Sequence, residues 1–450
     1  MIDIFLLSFA VHALASLVIC ARYRNQGALV FTLLSGWLLL PVGLWAEPIG
    51  DGFPWWISGA VLPSETLLKK ATLVPALGLL LAVLFLRRQR EIRPSLADFT
   101  MLGFCLLPLV HMIFFGQGRA LDSAYLAMVW GASWLLGRLY LNDEAGKQAI
   151  IAGLALSGLA IAAITLLEAR SGPWLYQFVY APHPFAEDGA DRYIGHRGLG
   201  FMEHGNQLGV WAAAAAFAAI WQSFASAQVN RSPIAKILAL ISLFSLLISQ
   251  SVGAVLLFLL ALFLAVCWSW RLIWPAFLLT GFCAIAMLAT HLSGIIDLRW
   301  VAYHTAFGRD VMDLFQAIGR TSFLWRFAQD MKSLETLHET LLFGSGLWDW
   351  WRPNESRPWG LWMLILGYVG VLGLSLAWIS VLTGPLGTLH RSRGQSVWQP
   401  SGIGFALALL VLIGIADAQL NAFVFQPMIL IAAAIVQRPP NQMQVSAPGH

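Results

Sequence analysis

DRYIGHRGLGFMEHGNQLGVWAAAAAFAAIWQSFA, residues 191–225, sets a polar head directly against an apolar run. The head carries Arg192, Arg197, His196, His204, Asp191 and Glu203 within fourteen residues, and the run over 206–225 carries no charge. A bilayer core takes about 20 apolar residues per helix, so the second half reads as a membrane span. Ionisable groups at the edge of hydrocarbon cost free energy, which makes the head a functional-site expectation. Its arginines suit a phosphate, because a guanidinium offers paired, charge-assisted hydrogen bonds.

Outward from that stretch the same contrast recurs. Of 450 residues, 58% are hydrophobic and 11% charged, with a mean hydropathy of +0.72, which excludes an ordinary soluble domain. Spans are expected near 2–20, 27–46, 66–86, 98–116, 121–141, 149–168, 206–225, 234–250, 251–270, 272–293, 359–383, 401–417 and 419–437. The fold class is therefore an all-α polytopic membrane protein of about 12–13 transmembrane helices. Residues 1–437 form a single membrane domain, and 438–450, rich in Gln, Ser, Pro and Gly, read as a disordered tail. Two divisions of continuous apolar runs are placed at Gln250-Ser251-Val252-Gly253 and at Asp417-Ala418-Gln419. Asp417 is costly there if buried, whereas an outer turn at that point leaves it solvated.

Charge gives an orientation. With the N-terminus outside, the short inner loops and span ends hold basic residues from Arg22 and Arg24 to Arg391, Arg393 and Arg438. Only Glu91, Asp98, Asp143 and Glu144 oppose them there. The positive-inside rule then places the N-terminus outside and the C-terminus in the cytoplasm. The scattered basic residues serve orientation, not nucleic acid. The apolar setting of Cys20, Cys105, Cys267 and Cys283 reads as core packing rather than disulfide or metal chemistry. No metal ligand set and no nucleotide-binding motif is found, so no cofactor is expected.

Two outer segments, 169–205 and 294–358, are too long to be connectors. In the first, glycines around Gly200 free the backbone for close approach to a ligand, and Asn206 is placed to cap the following helix, whose N-terminus is an anion site. The same residues also read as a capped return into the membrane with snorkelling arginines. In the second, Leu324, Phe327, Met331, Leu334, Leu337 and Leu341 recur at helical spacing, giving an amphipathic helix on the outer surface or over a cavity. Arg320 stands just before it, with Thr321 or Ser322 as caps, and Gly344 and Gly346 allow a sharp turn after it. Trp348, Trp350, Trp351, Trp359 and Trp362 read as an interface belt, with a glycan-binding groove as the alternative.

Taken together these residues resemble the O-antigen ligase and polysaccharide polymerase superfamily of bacterial inner-membrane proteins, over roughly residues 190 to 385. The resemblance rests on Arg197, Gly200 and Asn206 opening a span, and on Arg320 before a helix with Trp325 that ends in the Gly344/Gly346 turn. Gly370 and Gly373 follow in the next span, and Ser249-Gln250-Ser251-Val252-Gly253 matches a short serine/glycine turn, with Val252 where a basic residue often stands. Ligases of this group carry a histidine near the position of Trp359, and no histidine lies between His338 and His390. That departure favours a polymerase over a ligase.

The resemblance implies metal-independent, inverting glycan transfer on the periplasmic side. The donor would be an undecaprenyl-diphosphate-linked oligosaccharide, and the partners a glycan acceptor, membrane lipids and other polysaccharide-assembly proteins. Charge builds on a departing diphosphate, so Arg197 and Arg320 are the expected stabilisers, with Arg192 and Arg326 in support. Glu203, His204 and Glu355 are the candidate bases. Gly200, Asn206 and Trp325 complete the expected binding set. A lipid-linked sugar transporter, which needs polar groups at mid-membrane depth and discontinuous helices, and a purely structural subunit are the other readings.

Overall fold

A computed structural model describes residues 2–43, 68–87, 94–179, 191–202, 204–229, 233–269, 298–317, 340–351, 358–392 and 396–436, with isolated positions between 275 and 337. Apart from one two-residue-per-strand hairpin, the described secondary structure is helical. Six helical stretches are long and apolar enough to cross a membrane: Ile4–Tyr23, Leu96–Phe115, Glu144–Ser171, Gly205–Ala225, Leu361–Arg391 and Pro400–Gln419. The chain is thus an all-α membrane protein.

In chain order the helices are α1 (Ile2–Tyr23), α2 (Gln26–Leu39), α3 (Lys70–Phe85) and α4 (Leu96–Phe115). They continue with α5 (Ala120–Leu126) and α6 (Ala132–Tyr140), joined by a π-helical turn over Ala127–Gly131, and α7 (Glu144–Ser171). After α8 (Trp174–Val179), strands β1 (Asp191–Arg192) and β2 (Gly195–His196) precede α9 (Gly205–Val229), α10 (Pro233–Ile248) and α11 (Val252–Ser269). Then come α12 (Leu298–His304), α13 (Ala306–Ala317), α14 (Leu361–Arg391), α15 (Ile403–Leu420) and α16 (Pro427–Ala434).

Helix α9 is the axis of the bundle, packed by α7, α10, α11 and α15. Its run Ala212 to Ala219, interrupted only by Phe217, is wholly buried. Small side chains let neighbouring backbones approach closely, which is how apolar helices associate where lipid removes the hydrophobic drive. Peripheral helices instead expose apolar side chains, among them Leu7, Val11 and Leu14 on α1 and Phe99, Leu102 and Ile113 on α4. That is the pattern expected of a lipid-facing surface.

Local signals set several starts. Asn25 caps α2 by accepting from the Ala28 N–H at 2.9 Å, and Asp143 caps α7 by accepting from Gly146 at 2.8 Å. Ser95 and Asp98 form a capping box at α4. Asp98 also accepts from Arg138 Nε at 2.9 Å and Trp134 Nε1 at 2.8 Å, fastening α4 to α6. Arg138 Nη1 and the Asn142 amide donate to carbonyls at the end of α16, Val436 at 3.3 Å and Ala434 at 2.9 Å. One end of the bundle is therefore closed by charge and amide bonds.

Near the other end, α14 is broken. Gly370 has φ +70° and stands in the middle of an apolar helix. At a rise of about 1.5 Å per residue it lies roughly 14 Å along the helix from Leu361. The turn over 341–346 inserts at the break: Ser345 N donates to Gly367 O at 2.9 Å, and Gly346 N to Tyr368 O at 2.9 Å. On the far side Val371 N donates to Leu341 O at 2.9 Å, and Leu372 N to Leu342 O at 3.3 Å. The helix thus exchanges its own ladder for bonds to an inserted turn, as hydrocarbon requires of any interrupted backbone. Gly344 and Gly346, both at positive φ, make that turn as their sequence suggested.

Three expectations change. The last apolar run divides at Asn421–Gln426 rather than at 417–419, leaving α16 only eight residues, too short to span, and Asp417 buried instead of solvated. The physical reason is that Asp417 finds buried partners one turn on. Trp348, Trp350, Trp351 and Trp362 are buried, so they form neither a belt nor an open groove. Trp350 lies over Gly367, and its Nε1 donates to Leu364 O at 3.3 Å. The division at Gln250 holds, with Gln250 at φ +53° between α10 and α11. Span 272–293, apart from residues 275 and 279, and the tail 438–450 lie outside the described residues.

Replacing Gly370 with alanine places a Cβ 2.3 Å from Leu342 O at a left-handed backbone position. The expected outcome is a destabilisation of at least about 1–2 kcal/mol. It is measured as a lower unfolding midpoint together with faster protease cleavage within 340–347; unchanged cleavage there counts against the inserted turn.

Candidate functional site

At the end of the bundle holding the start of α9, the loop Arg197–His204 lies between the last turn of α7 and the residues that follow α15. Arg197 is buried, 1% exposed, and its Nη2 donates to Asn206 Oδ1. Asn206 Nδ2 donates to Asn421 Oδ1 at 3.1 Å, and Asn421 Nδ2 to Asp417 Oδ1 at 2.6 Å. Two amides in head-to-tail order thus join a buried guanidinium to a buried carboxylate. Each donor points toward the carboxylate and each acceptor toward the guanidinium, so the amide dipoles favour both charges. Burying either charge alone would be far costlier.

The loop itself is held by α7. Glu168, in the last turn of that helix and fully buried, accepts from Leu199 N at 2.6 Å and Gly200 N at 2.7 Å through Oε2. Gly200 adopts φ +56° there. Gly205 opens α9 without a side chain because a Cβ would sit 2.4 Å from Arg197 Nε. From below, Lys70 Nζ donates to Phe201 O at 2.6 Å and Leu40 O at 3.1 Å, tying the loop to α2 and α3. From the side, Gln250 receives Ile194 N at 3.3 Å and donates to His196 O at 3.2 Å.

Of the residues singled out from sequence, Arg197, Gly200, His204 and Asn206 come together. Asn206 is not the cap of α9. His204 takes that place, its Nδ1 accepting from Asn206 N at 3.0 Å while its ring stacks on Phe423 at 5.2 Å. An Nδ1 used as acceptor leaves the proton on Nε2, so His204 acts as a base only if it gives up the cap. Arg192 is set apart, exposed on the hairpin where it pairs with Gly195. Glu203, Arg320, Trp325, Arg326 and Glu355 lie outside the described residues. So do Leu324, Phe327 and Met331 of the expected amphipathic helix; of its described positions Leu334 and Leu337 are buried, whereas Leu341 is exposed in the turn and Asp330, expected to face away, is buried.

Sequence reading passed over Asp417, Asn421, Glu168 and Lys70 as site residues. A signal existed for the first pair. An Asp one turn before an Asn at the end of an apolar run is within reach of it, and an intramembrane carboxylate is a functional expectation in its own right. Comparison with known proteins adds no relative, since no protein-family model matches the chain and no curated protein matches it.

Asn421→Leu removes both the acceptor of Asn206 and the donor to Asp417. Each stranded buried group costs about 1–3 kcal/mol. The detergent-solubilised variant is expected to unfold at a clearly lower temperature, and adding Asp417→Leu should recover part of that loss. A further additive loss in the double variant would show that the two residues are not one network.

Proposed function

We propose that the protein transfers a glycan from a lipid-diphosphate-linked donor to a hydroxyl acceptor at the membrane face where α9 begins. The most economical form is polymerisation of an exopolysaccharide or O-antigen repeat in a bacterial inner membrane, with ligation to lipid A core as the alternative. The observation that carries the reading is Arg197, a buried guanidinium oriented by Asn206 and backed by Asn421 and Asp417. A fixed cation stabilises charge that develops on a departing diphosphate without reorganising during the reaction. Arg320 is the second guanidinium of this proposal, and Glu203 and Glu355 are its remaining bases. On the periplasmic orientation argued from loop charge, the donor reaches Arg197 from the outer leaflet.

One observation favours a second reading, a carrier of lipid-linked sugars. The break of α14 at Gly370 is a discontinuous helix within an apolar segment, and Asp122 is buried beside it, ion-paired to Arg119 at 3.2 Å and accepting from the Tyr368 hydroxyl at 3.3 Å. Broken helices and buried ionisable groups are features of transport paths. Against it, the inserted turn fills the break with protein backbone rather than leaving a lined passage.

The test is reconstitution of the purified protein with a labelled lipid-linked oligosaccharide and an acceptor glycan. Transfer is expected, with Arg197→Ala lowering it by about 10²–10³-fold and Arg192→Ala by much less. Arg320→Ala is expected to match Arg197→Ala at equal protein level. Movement of label between leaflets without a new glycosidic bond would establish the carrier instead.

A further inference from the structure

We propose that the bundle end opposite Arg197 holds a site for a zwitterionic phospholipid head group, a phosphodiester next to a primary ammonium. A cavity of about 450 Å³ opens there, lined by Asn142, Asp143, Glu144, Lys147, Thr388 and Arg391, with Gly404 and the 434–436 backbone completing its wall. Its charges are two cations and two carboxylates, so neither a simple anion nor a simple cation matches it.

The distribution of bonds within the cavity assigns the parts. Lys147 pairs with Glu144 at 2.7 Å, which neutralises both at one side. Asp143 uses Oδ1 for the N-cap of α7 and for Gln26 Nε2 at 2.7 Å. Its other oxygen is the acceptor for an ammonium. Arg391 makes a single hydrogen bond among the described residues, from Nε to Gly387 O at 3.4 Å, leaving the paired Nη donors to a phosphate.

The carbonyls that end α16 would repel such a phosphate, but they are already covered. The Asn142 amide donates to Ala433, Ala434 and Val436 at 3.3, 2.9 and 2.7 Å, and Arg138 adds a bond to Val436. A 3-10 turn over Pro400–Gly402 runs into α15, and Gly404 in the first turn of that helix keeps the cavity wall low beside Thr388. Head-group chemistry is also what this depth supplies, since α6, α7, α14 and α16 all begin or end around the cavity.

The experiment offers the purified full-length protein equal amounts of phosphatidylethanolamine, phosphatidylcholine and phosphatidylglycerol and reads bound lipid by native mass spectrometry. Phosphatidylethanolamine is expected to be retained in preference, and Arg391→Ala to weaken retention about tenfold. Asp143→Asn with Glu144→Gln, which keeps the cap acceptor while removing both charges, is expected to shift preference to phosphatidylglycerol. Equal retention of phosphatidylcholine, whose quaternary nitrogen has no N–H to donate, overturns the proposal. So does retention unchanged in Arg391→Ala, and so does displacement by free phosphoethanolamine at the same concentration as the lipid, which would assign the site to a soluble ligand.

Discussion

A backbone that leaves its helix inside hydrocarbon has no water to turn to, and α14 meets that constraint with a second piece of chain. The carbonyls of Gly367 and Tyr368 and the amides of Val371 and Leu372 bond to the turn over 341–346. Everything near that end follows from the arrangement. Trp350 must lie on Gly367, Tyr368 is brought to Asp122, and residues 341–346 are held within the bundle.

Arg197 obeys the same rule in the currency of charge. Its chain of amides to Asp417 spans more than 200 residues of sequence, and each link is buried. Glu168 and Lys70 do for the loop what the amides do for the guanidinium, since both use a buried polar side chain to hold backbone groups of Leu199, Gly200 and Phe201. The candidate site is thus assembled from α3, α7, α9 and α15 at once. Such a site is stiff, which is what electrostatic stabilisation of a transient charge requires.

Much of this was legible in the residues. Length and apolarity placed most helices within a few positions, because a bilayer leaves so few alternatives. Arg197, Gly200 and Asn206 were readable because glycine and polar residues crowd the head of a span. What stayed hidden depends on distant partners. Asp417 read as solvated because its burial is tolerable only through Asn421, Asn206 and Arg197. The tryptophans after Gly346 read as interfacial because nothing local shows that Gly367 offers Trp350 a flat seat. His204 read as a base and Asn206 as a cap, whereas the histidine caps and the asparagine relays, a swap that only the position of Asn421 explains.

The capping box at Ser95 has a reach beyond its own helix. Asp98 is at once the N3 residue of that box and the anchor of Arg138 and Trp134, while Arg138 also grips the end of α16. Three segments, α4, α6 and the end of α16, are therefore riveted at one rim. Neutralising that one carboxylate would therefore unfasten three segments together, because the guanidinium it anchors is shared with the end of α16.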